Sequence, residues 1–361
     1  MLTARSVVQN LKEYHPPLGG RAGLRLDFNE NSSGCSPRVL EALSRINGDL
    51  LSKYPERDPV EAIAAEFLGL QREQVLLTNG VDEAIHLVCE TYLDPGDEAL
   101  IVVPTFSMYE IYALATGADV LAIPARKDFE FPTAAVITAI SQKTKFIAIA
   151  NPNNPTGKVV PRERLIDILE EAPNAAVLID EAYFEFYGQT LMDLVGKYEN
   201  LFIARTFSKA YGLAGFRVGV LAGDAAQMKL VRRVSSPYNV NGVALACLPE
   251  ALAEREYVAG YSAEVRSGRR RLESEFAQLG IPYWPSHANF VLARFGEFRK
   301  AFVEAMRARG ILVRDRNSDP GCEGCVRITV GTSDQTDRLL RELRAALDAI
   351  GWKPSSAEAA R

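Results

Sequence analysis

The residues with the most chemical potential lie in one short run, Arg205-Thr206-Phe207-Ser208-Lys209-Ala210-Tyr211-Gly212-Leu213-Ala214-Gly215-Phe216-Arg217. An apolar stretch over 200–204 precedes it and another, 218–222, follows it, so the segment is too short to be an ordinary surface loop. A lysine held between two buried strands is poorly placed for solvation, and poor solvation is what prepares an amine as a nucleophile. Most lysines are simply exposed and solvating. Other groups must therefore converge on Lys209 before it reads as chemical.

Three further clusters supply them. Thr78-Asn79-Gly80-Val81-Asp82-Glu83 joins a predicted strand to a helix. A glycine there lets the chain turn tightly, and the amides that follow face outward at the positive end of a helix, where an anion binds. Acids in the first turn suit a plain capped helix equally well, and a helix end contributes only ~0.3–1 kcal/mol. A bound phosphate also needs a full charge, which Arg217 supplies, with hydroxyls from Thr206 and Ser208. Ile179-Asp180-Glu181-Ala182-Tyr183 ends another strand in an acid. Such a carboxylate either caps a helix or is costly unless a cation meets it. Asn154, Pro155, Thr156 and Gly157 add an amide donor, or plain turn chemistry, on a neighbouring strand end. A lysine amine, a carboxylate, phosphate donors, a phenol and an amide on one sheet edge are together the set that pyridoxal phosphate requires, with an imine-forming lysine and an acid paired to the pyridine nitrogen.

The elements that must position these groups follow from periodicity. Apolar runs at 75–77, 99–103, 120–123, 146–150, 176–179, 201–204 and 218–222 predict strands, alternating with helical patterns. Several are apolar throughout, as a mostly parallel sheet covered by helices on both faces requires. Polar clusters at strand ends match the rule that ligands of open α/β sheets bind beyond the strands' carboxyl ends. Beyond residue 237 the predicted elements are helices over 240–252, 263–279, 297–309 and 334–350, with strands at 289–293, 311–313 and 326–330. The expected organisation is an N-terminal arm (1–28), a large domain (29–237), a smaller α+β domain (238–352) and a disordered tail (353–361). Ser36 and Pro37 open a predicted helix to about residue 46.

Composition sets the outer bounds. The 361 residues are 47% apolar and 24% charged, with a net charge of -5. That is the balance of a globular enzyme, and it argues against nucleic acid as a partner. No apolar run approaches the roughly 18 residues of a membrane span. The start lacks the apolar core of a signal peptide, and five scattered cysteines suit reduced thiols, so a cytoplasmic location is expected. Cys322 and Cys325 have the spacing of half a zinc site, but with three histidines and no second pair no metal is expected.

The motifs taken together resemble the fold-type I aminotransferases. Ser208-Lys209-Ala210-Tyr211-Gly212-Leu213-Ala214-Gly215-Phe216-Arg217 looks like their cofactor-lysine segment, and the asparagine motif at 151–157, Asp180-Glu181-Ala182-Tyr183 and the segment 104–109 occur in the same order. More narrowly, Asn29-Glu30-Asn31, Asn79-Gly80-Val81-Asp82-Glu83 and Arg314-Asp315-Arg316-Asn317, followed by Arg327 within 326–332, resemble the histidinol-phosphate aminotransferase family.

The resemblance covers nearly the whole chain and implies a seven-stranded, mostly parallel sheet. Lys209 would bind pyridoxal phosphate covalently and carry the proton, Asp180 would hold the ring nitrogen protonated, and Asn154 and Tyr183 would bond the ring oxygen. Tyr109 would stack on the ring. Gly80, Val81, Asp82, Thr206, Ser208 and Arg217 would bind the phosphate. Tyr54 would reach the phosphate of a second subunit in a homodimer with shared sites. Arg327 and Arg314, with Asn29 and Tyr14, would meet the small-molecule substrates. The implied reaction is transamination between histidinol phosphate and 2-oxoglutarate in histidine biosynthesis; the alternatives are an aromatic amino acid aminotransferase or a threonine-phosphate decarboxylase. Where relatives carry Pro and an aromatic after Asn31, this chain has Ser32 and Ser33.

Overall fold

A computed structural model describes residues 2–15, 20 and 22–353. Of the expected tail, residues 354–361 lie outside the described residues. The described residues form twelve strands: β1 (Leu24–Leu26), β2 (Val75–Thr78), β3 (Glu98–Val103), β4 (Asp119–Pro124), β5 (Thr144–Ala150), β6 (Ala176–Asp180), β7 (Leu201–Thr206), β8 (Gly219–Gly223), β9 (Tyr283–Trp284), β10 (Phe290–Arg294), β11 (Ile311–Asp315) and β12 (Cys325–Thr329).

Seven of them form one sheet in the order β2-β8-β7-β6-β5-β3-β4. The pairs from β4 through β7 are parallel, and β8 runs antiparallel to both β7 and β2. All seven apolar runs expected to be strands lie in this sheet, within two residues of the expected limits. Their side chains divide by the two-residue period of a strand. Phe146, Ala148, Leu178, Phe202 and Leu221 pack on one face against the helix Gly80–Tyr92. Ile147, Ile149, Val177, Ile179 and Ile203 pack on the other against Arg162–Glu171. Burying a side chain of this size contributes roughly 1.5–3 kcal/mol, so neither face tolerates a register slip.

The second sheet runs β1-β11-β12-β10-β9, covered by the helices Arg255–Leu279, Arg299–Ala308 and Ser333–Ala349. The last helix opens on a capping box between Thr332 and Gln335. The arm differs from expectation in one respect. Residues 24–26 form an edge strand, parallel to β11, with Leu24 opposite Ile311 and Leu26 opposite Val313. The chain is thus fastened to the smaller sheet before it enters the large one. The next three residues, Asp27, Phe28 and Asn29, are delivered to the boundary between the two sheets.

Candidate active site

The carboxyl ends of β5, β6 and β7 open into a cavity of about 330 Å³ that is also lined by the first turn of the helix Gly80–Tyr92. Lys209 stands in its wall, three residues past the end of β7. Its Nζ donates to the Phe28 carbonyl at 3.1 Å. Burial and the positive charge of Arg327 push its pKa from 10.5 down to about 8, against the opposing pull of Glu30 and Asp82. A lysine so placed is neutral in roughly a tenth of molecules at pH 7, several hundred times the ordinary fraction.

Asp180, the last residue of β6, is 5% exposed. One oxygen accepts from the Tyr109 hydroxyl at 2.6 Å and the other from the Ala182 amide at 2.9 Å. Two donors lower the pKa of a carboxyl group, but burial outweighs them and lifts it to about 6. A buried acid raised in this way, in a cavity wall, is short of a cation. Tyr109 is fully buried beside it, and the same desolvation holds its phenol well above the usual range. Its hydroxyl bond to Asp180 is a role that the position of Tyr109 in the sequence does not reveal.

At the other end of the cavity the backbone turns at Gly80, φ 78°, into the helix. The left-handed φ disfavours a side chain here, and a Cβ would lie 2.7 Å from Arg217 Nη2, which would have to shift. Arg217 Nη2 donates to Asp82 at 2.9 Å. The Asp82 carboxylate therefore holds the arginine over the helix terminus, in addition to the backbone amide expected of that residue. Thr206 and Ser208 are both 6% exposed and line the same end, with the Ser208 amide donating to the Thr206 hydroxyl at 3.1 Å.

A second cavity of about 130 Å³ adjoins the first, sharing Phe28, Phe106, Asn154, Tyr183 and Lys209 in its wall. Arg327, 5% exposed on β12, donates to the Asp27 carbonyl at 2.7 Å and to Asn154 Oδ1. With Oδ1 taken, the amide nitrogen of Asn154 is the end that remains for a ligand. Burial, with Arg316 and Arg314 close by, lowers the Arg327 pKa to about 9. Tyr14 reaches this cavity, its hydroxyl 3.5 Å from Arg314 Nη2. Tyr183, raised by burial and partly offset by Arg327, accepts from Asn29 Nδ2 at 2.8 Å, which leaves its own proton to donate elsewhere.

Two expected site residues have partners outside the first cavity. Asn29 adopts φ 56° and spends its side chain on Tyr183 and on the Thr329 hydroxyl, 3.0 Å from its Oδ1. It orients Tyr183 and itself lines the second cavity. Tyr54 is not in the wall of its own chain's cavity. It is 78% exposed and stacks on Tyr238 with ring centroids 4.5 Å apart. Phe28, Glu30, Phe106 and Arg316 line the cavities without having been singled out. The signal available for Arg316 was its two-residue spacing from Arg314 on a strand.

This arrangement fits pyridoxal phosphate on four separate counts: an amine of lowered pKa, a buried acid short of a cation, a helix terminus with an arginine above it, and phenol and amide donors between them. Comparison with known proteins agrees. Residues 21–343 match the sequence pattern of the family described as aminotransferase class I and II. The chain is 36% identical over 335 residues to histidinol-phosphate aminotransferase of Caldanaerobacter subterraneus, covering 90% of this chain and 93% of that one. It is 35% identical to the Moorella thermoacetica protein of the same name, covering 93% and 89%. In fold it is similar to histidinol-phosphate aminotransferase of Sinorhizobium meliloti, solved in complex with pyridoxal-5'-phosphate, with TM-score 0.87, 22% identity and coverage of 96% and 97%.

Proposed function

The chain belongs to the class I and II aminotransferases, within them to the histidinol-phosphate aminotransferase family, and from that premise we propose that it is a pyridoxal-phosphate-dependent transaminase exchanging an amino group between histidinol phosphate and 2-oxoglutarate. The observation that carries the reading is the single cavity wall in which Lys209, at a pKa of about 8, and Asp180, at about 6, stand with the Gly80 helix terminus and Arg217.

Lys209 would hold the cofactor's aldehyde carbon, Asp180 its ring nitrogen, Asn154 and Tyr183 its ring oxygen, and Gly80, Val81, Asp82, Thr206, Ser208 and Arg217 its phosphate. When bound, the cofactor supplies an electron sink for negative charge at the substrate's Cα. Asp180 would keep a proton on the ring nitrogen, and Tyr109 holds Asp180 in place through its hydroxyl. Lys209 Nζ would carry the proton between the substrate's Cα and the cofactor carbon that bore the aldehyde. Its lowered pKa suits it to do so near neutrality, where a lysine of ordinary pKa remains protonated. Arg327 presents a planar fork to the carboxylate of glutamate or to the phosphate of histidinol phosphate. Arg314 beside it adds the second charge a dianion calls for.

The assembly we propose is a two-fold homodimer in which Tyr54 and Tyr238 cross to the partner's phosphate end. Leu40, Leu43, Leu51, Tyr54 and Tyr238 are exposed large apolar residues, which supports a covered face. No helix among the described residues is long and apolar enough to cross a membrane. All five cysteines are free, which supports a reducing compartment, the cytoplasm. Comparative kinetics test the substrate: histidinol phosphate is expected to give the highest kcat/KM among histidinol phosphate, phenylalanine and threonine phosphate. A clear preference for phenylalanine would overturn the assignment, and carbon dioxide release from threonine phosphate would replace it with a decarboxylase.

A further inference from the structure

Arg314 and Arg327 stand directly opposite one another in the antiparallel pairing of β11 with β12. Like charges in that register repel. Arg316 follows Arg314 by two residues, and its amide extends the ladder by donating to the Cys325 carbonyl at 3.0 Å. Alternation along the strand puts it on the same face. All three arginines line the cavity of about 130 Å³ beside Lys209.

Each of the three also keeps a buried nitrogen with no hydrogen-bond partner among the described residues: Arg314 Nη1, Arg316 Nε and Arg327 Nε. Buried donors are rarely left unpaired, and three around one small space point to an anion that completes them. Arg316 is also firmly built in. The loop that carries it closes on itself through four backbone bonds: the Asp319 amide to the Arg316 carbonyl, the Cys322 amide to the Asp319 carbonyl, the Cys325 amide to the Cys322 carbonyl, and the Arg316 amide to the Cys325 carbonyl. The Gly324 amide donates to Asn317 Oδ1 across this ring at 2.9 Å. The Arg316 and Asp319 side chains, 14% and 19% exposed, pair with each other.

We infer that Arg316 is the third arm of a grip on a phosphate monoester, formed with Arg314 and Arg327, and that it separates phosphorylated amines from carboxylate-bearing donors at this site. The inference rests on the transaminase reading above. A phosphate monoester presents three terminal oxygens and up to two charges; a carboxylate presents two oxygens and one charge. Arg327 alone serves the carboxylate, already braced by Asn154 and the Asp27 carbonyl. The third guanidinium is engaged only when the phosphate arrives. Asp319, which is not in the cavity wall, pairs with the Arg316 guanidinium and holds it in position.

The test uses the cofactor-loaded enzyme and its Arg316→Gln and Arg316→Lys variants. KM and kcat are measured separately in the histidinol phosphate and glutamate half-reactions, together with competitive inhibition of the glutamate half-reaction by inorganic phosphate. In Arg316→Gln the KM for histidinol phosphate is expected to rise at least roughly tenfold more than that for glutamate, the loss of a charge-assisted hydrogen bond being of that size. Inhibition by inorganic phosphate weakens by a similar factor, and kcat falls much less than KM rises. Arg316→Lys, which keeps the charge without the fork, recovers part of the loss and serves where the glutamine variant folds poorly. Equal rises in both KM values, or unchanged inhibition by phosphate, overturn the inference. A wild-type enzyme that does not turn over histidinol phosphate overturns the substrate assignment instead, and the phosphate-inhibition measurement then judges the grip alone.

Discussion

The two adjoining cavities share five wall residues, Phe28, Phe106, Asn154, Tyr183 and Lys209, and differ in how their charges are met. In the larger, the carboxylates of Glu30, Asp82 and Asp180 face the cations Lys209 and Arg217. Arg217 is paired with Asp82, and Asp180 holds two hydrogen bonds. In the smaller, Asp27 is the one acid among the described residues of a wall carrying Lys209, Arg314, Arg316 and Arg327. There the arginines repel one another enough to contribute to the lowered pKa of Arg327. The first cavity is arranged so that it survives alone and gains when a resident group arrives. The second holds more cations than the acids Asp27 and Asp319 can meet, an excess that a visiting anion relieves. Charge removal should therefore act in opposite directions on the two sides: costly to the chemistry in the larger cavity, selective for substrate and mildly stabilising in the smaller.

The largest effect belongs to Lys209. Lys209→Ala removes both the covalent hold and the proton carrier, so the visible absorption band that pyridoxal phosphate gives with the wild type is lost, and kcat falls by roughly 10⁴-fold or more, at the upper end of what acid–base catalysis supplies. An unchanged band would break the comparison at its root. Next is Asp180→Asn, which keeps the shape of the cavity and removes the charge that holds the ring nitrogen protonated. The expected fall in kcat is about 10²–10³-fold, as for other preorganised electrostatic groups. If Tyr109 acts by holding Asp180, Tyr109→Phe repeats this defect in weaker form.

Proton linkage tests the larger cavity without any ligand. The pKa of Lys209 falls from 10.5 to about 8 on folding, so between those values the folded chain binds fewer protons than the unfolded one. Stability of the cofactor-free protein then rises with pH across that window, by an amount on the order of 3 kcal/mol if nothing else titrates. Asp180 works oppositely in its own window. Its pKa rises from 3.8 to about 6, the folded chain binds more protons there, and stability falls as pH increases through it. Thermal unfolding of the cofactor-free protein from about pH 8 to 10.5 should show the upward slope, and Lys209→Met should flatten it.

Much of the larger cavity was legible in the sequence because its parts are local. Gly80, Asp180, Thr206 and Lys209 each follow an apolar run that could only be a buried strand, so their placement on one sheet edge follows from topology. The smaller cavity was harder to read because its parts are joined across the chain. β1 is three residues long and pairs with β11, near the other end of the sequence, which no local periodicity reveals. That pairing delivers Asp27 to Arg327 and Phe28 to Lys209. The same distance hid the bond from the Asn29 amide to the Tyr183 hydroxyl. The opposition of Arg314 and Arg327 required the β11–β12 register, which the spacing of the two residues does not determine.

Within the smaller cavity, Arg327→Gln should raise KM for both histidinol phosphate and glutamate, since the fork serves either anion. The size expected is roughly ten- to a hundredfold, a charge-assisted hydrogen bond being worth ~1.5–3 kcal/mol. An effect confined to one substrate would assign the two anions to separate positions and redraw the cavity's division of labour.

The smallest effect is the most discriminating. Arg314 faces Arg327 across the strand pair with a buried Nη1 that finds no partner among the described residues. In the ligand-free protein that side chain is a cost: a cation directly opposite another in the strand pair, where like charges repel. Arg314→Gln removes the charge and keeps an amide able to bond the Tyr14 hydroxyl. The variant should therefore unfold at a higher temperature than the wild type, by about 2 °C for each ~1 kcal/mol in a chain of this size, while losing affinity for phosphate. Removing a charge from the larger cavity by Asp82→Asn should do the reverse, since Arg217 then loses the carboxylate that meets it. Because Arg217 is nearly half exposed, that loss is no more than about 1 kcal/mol. Opposite signs in the two melting temperatures are the signature of a compensated site beside an uncompensated one. A lower melting temperature for Arg314→Gln would mean that the arginine's packing over Phe28 outweighs its repulsion. In that case the excess charge of the smaller cavity is structural, and its selectivity for a phosphate must come from the geometry of the three forks alone.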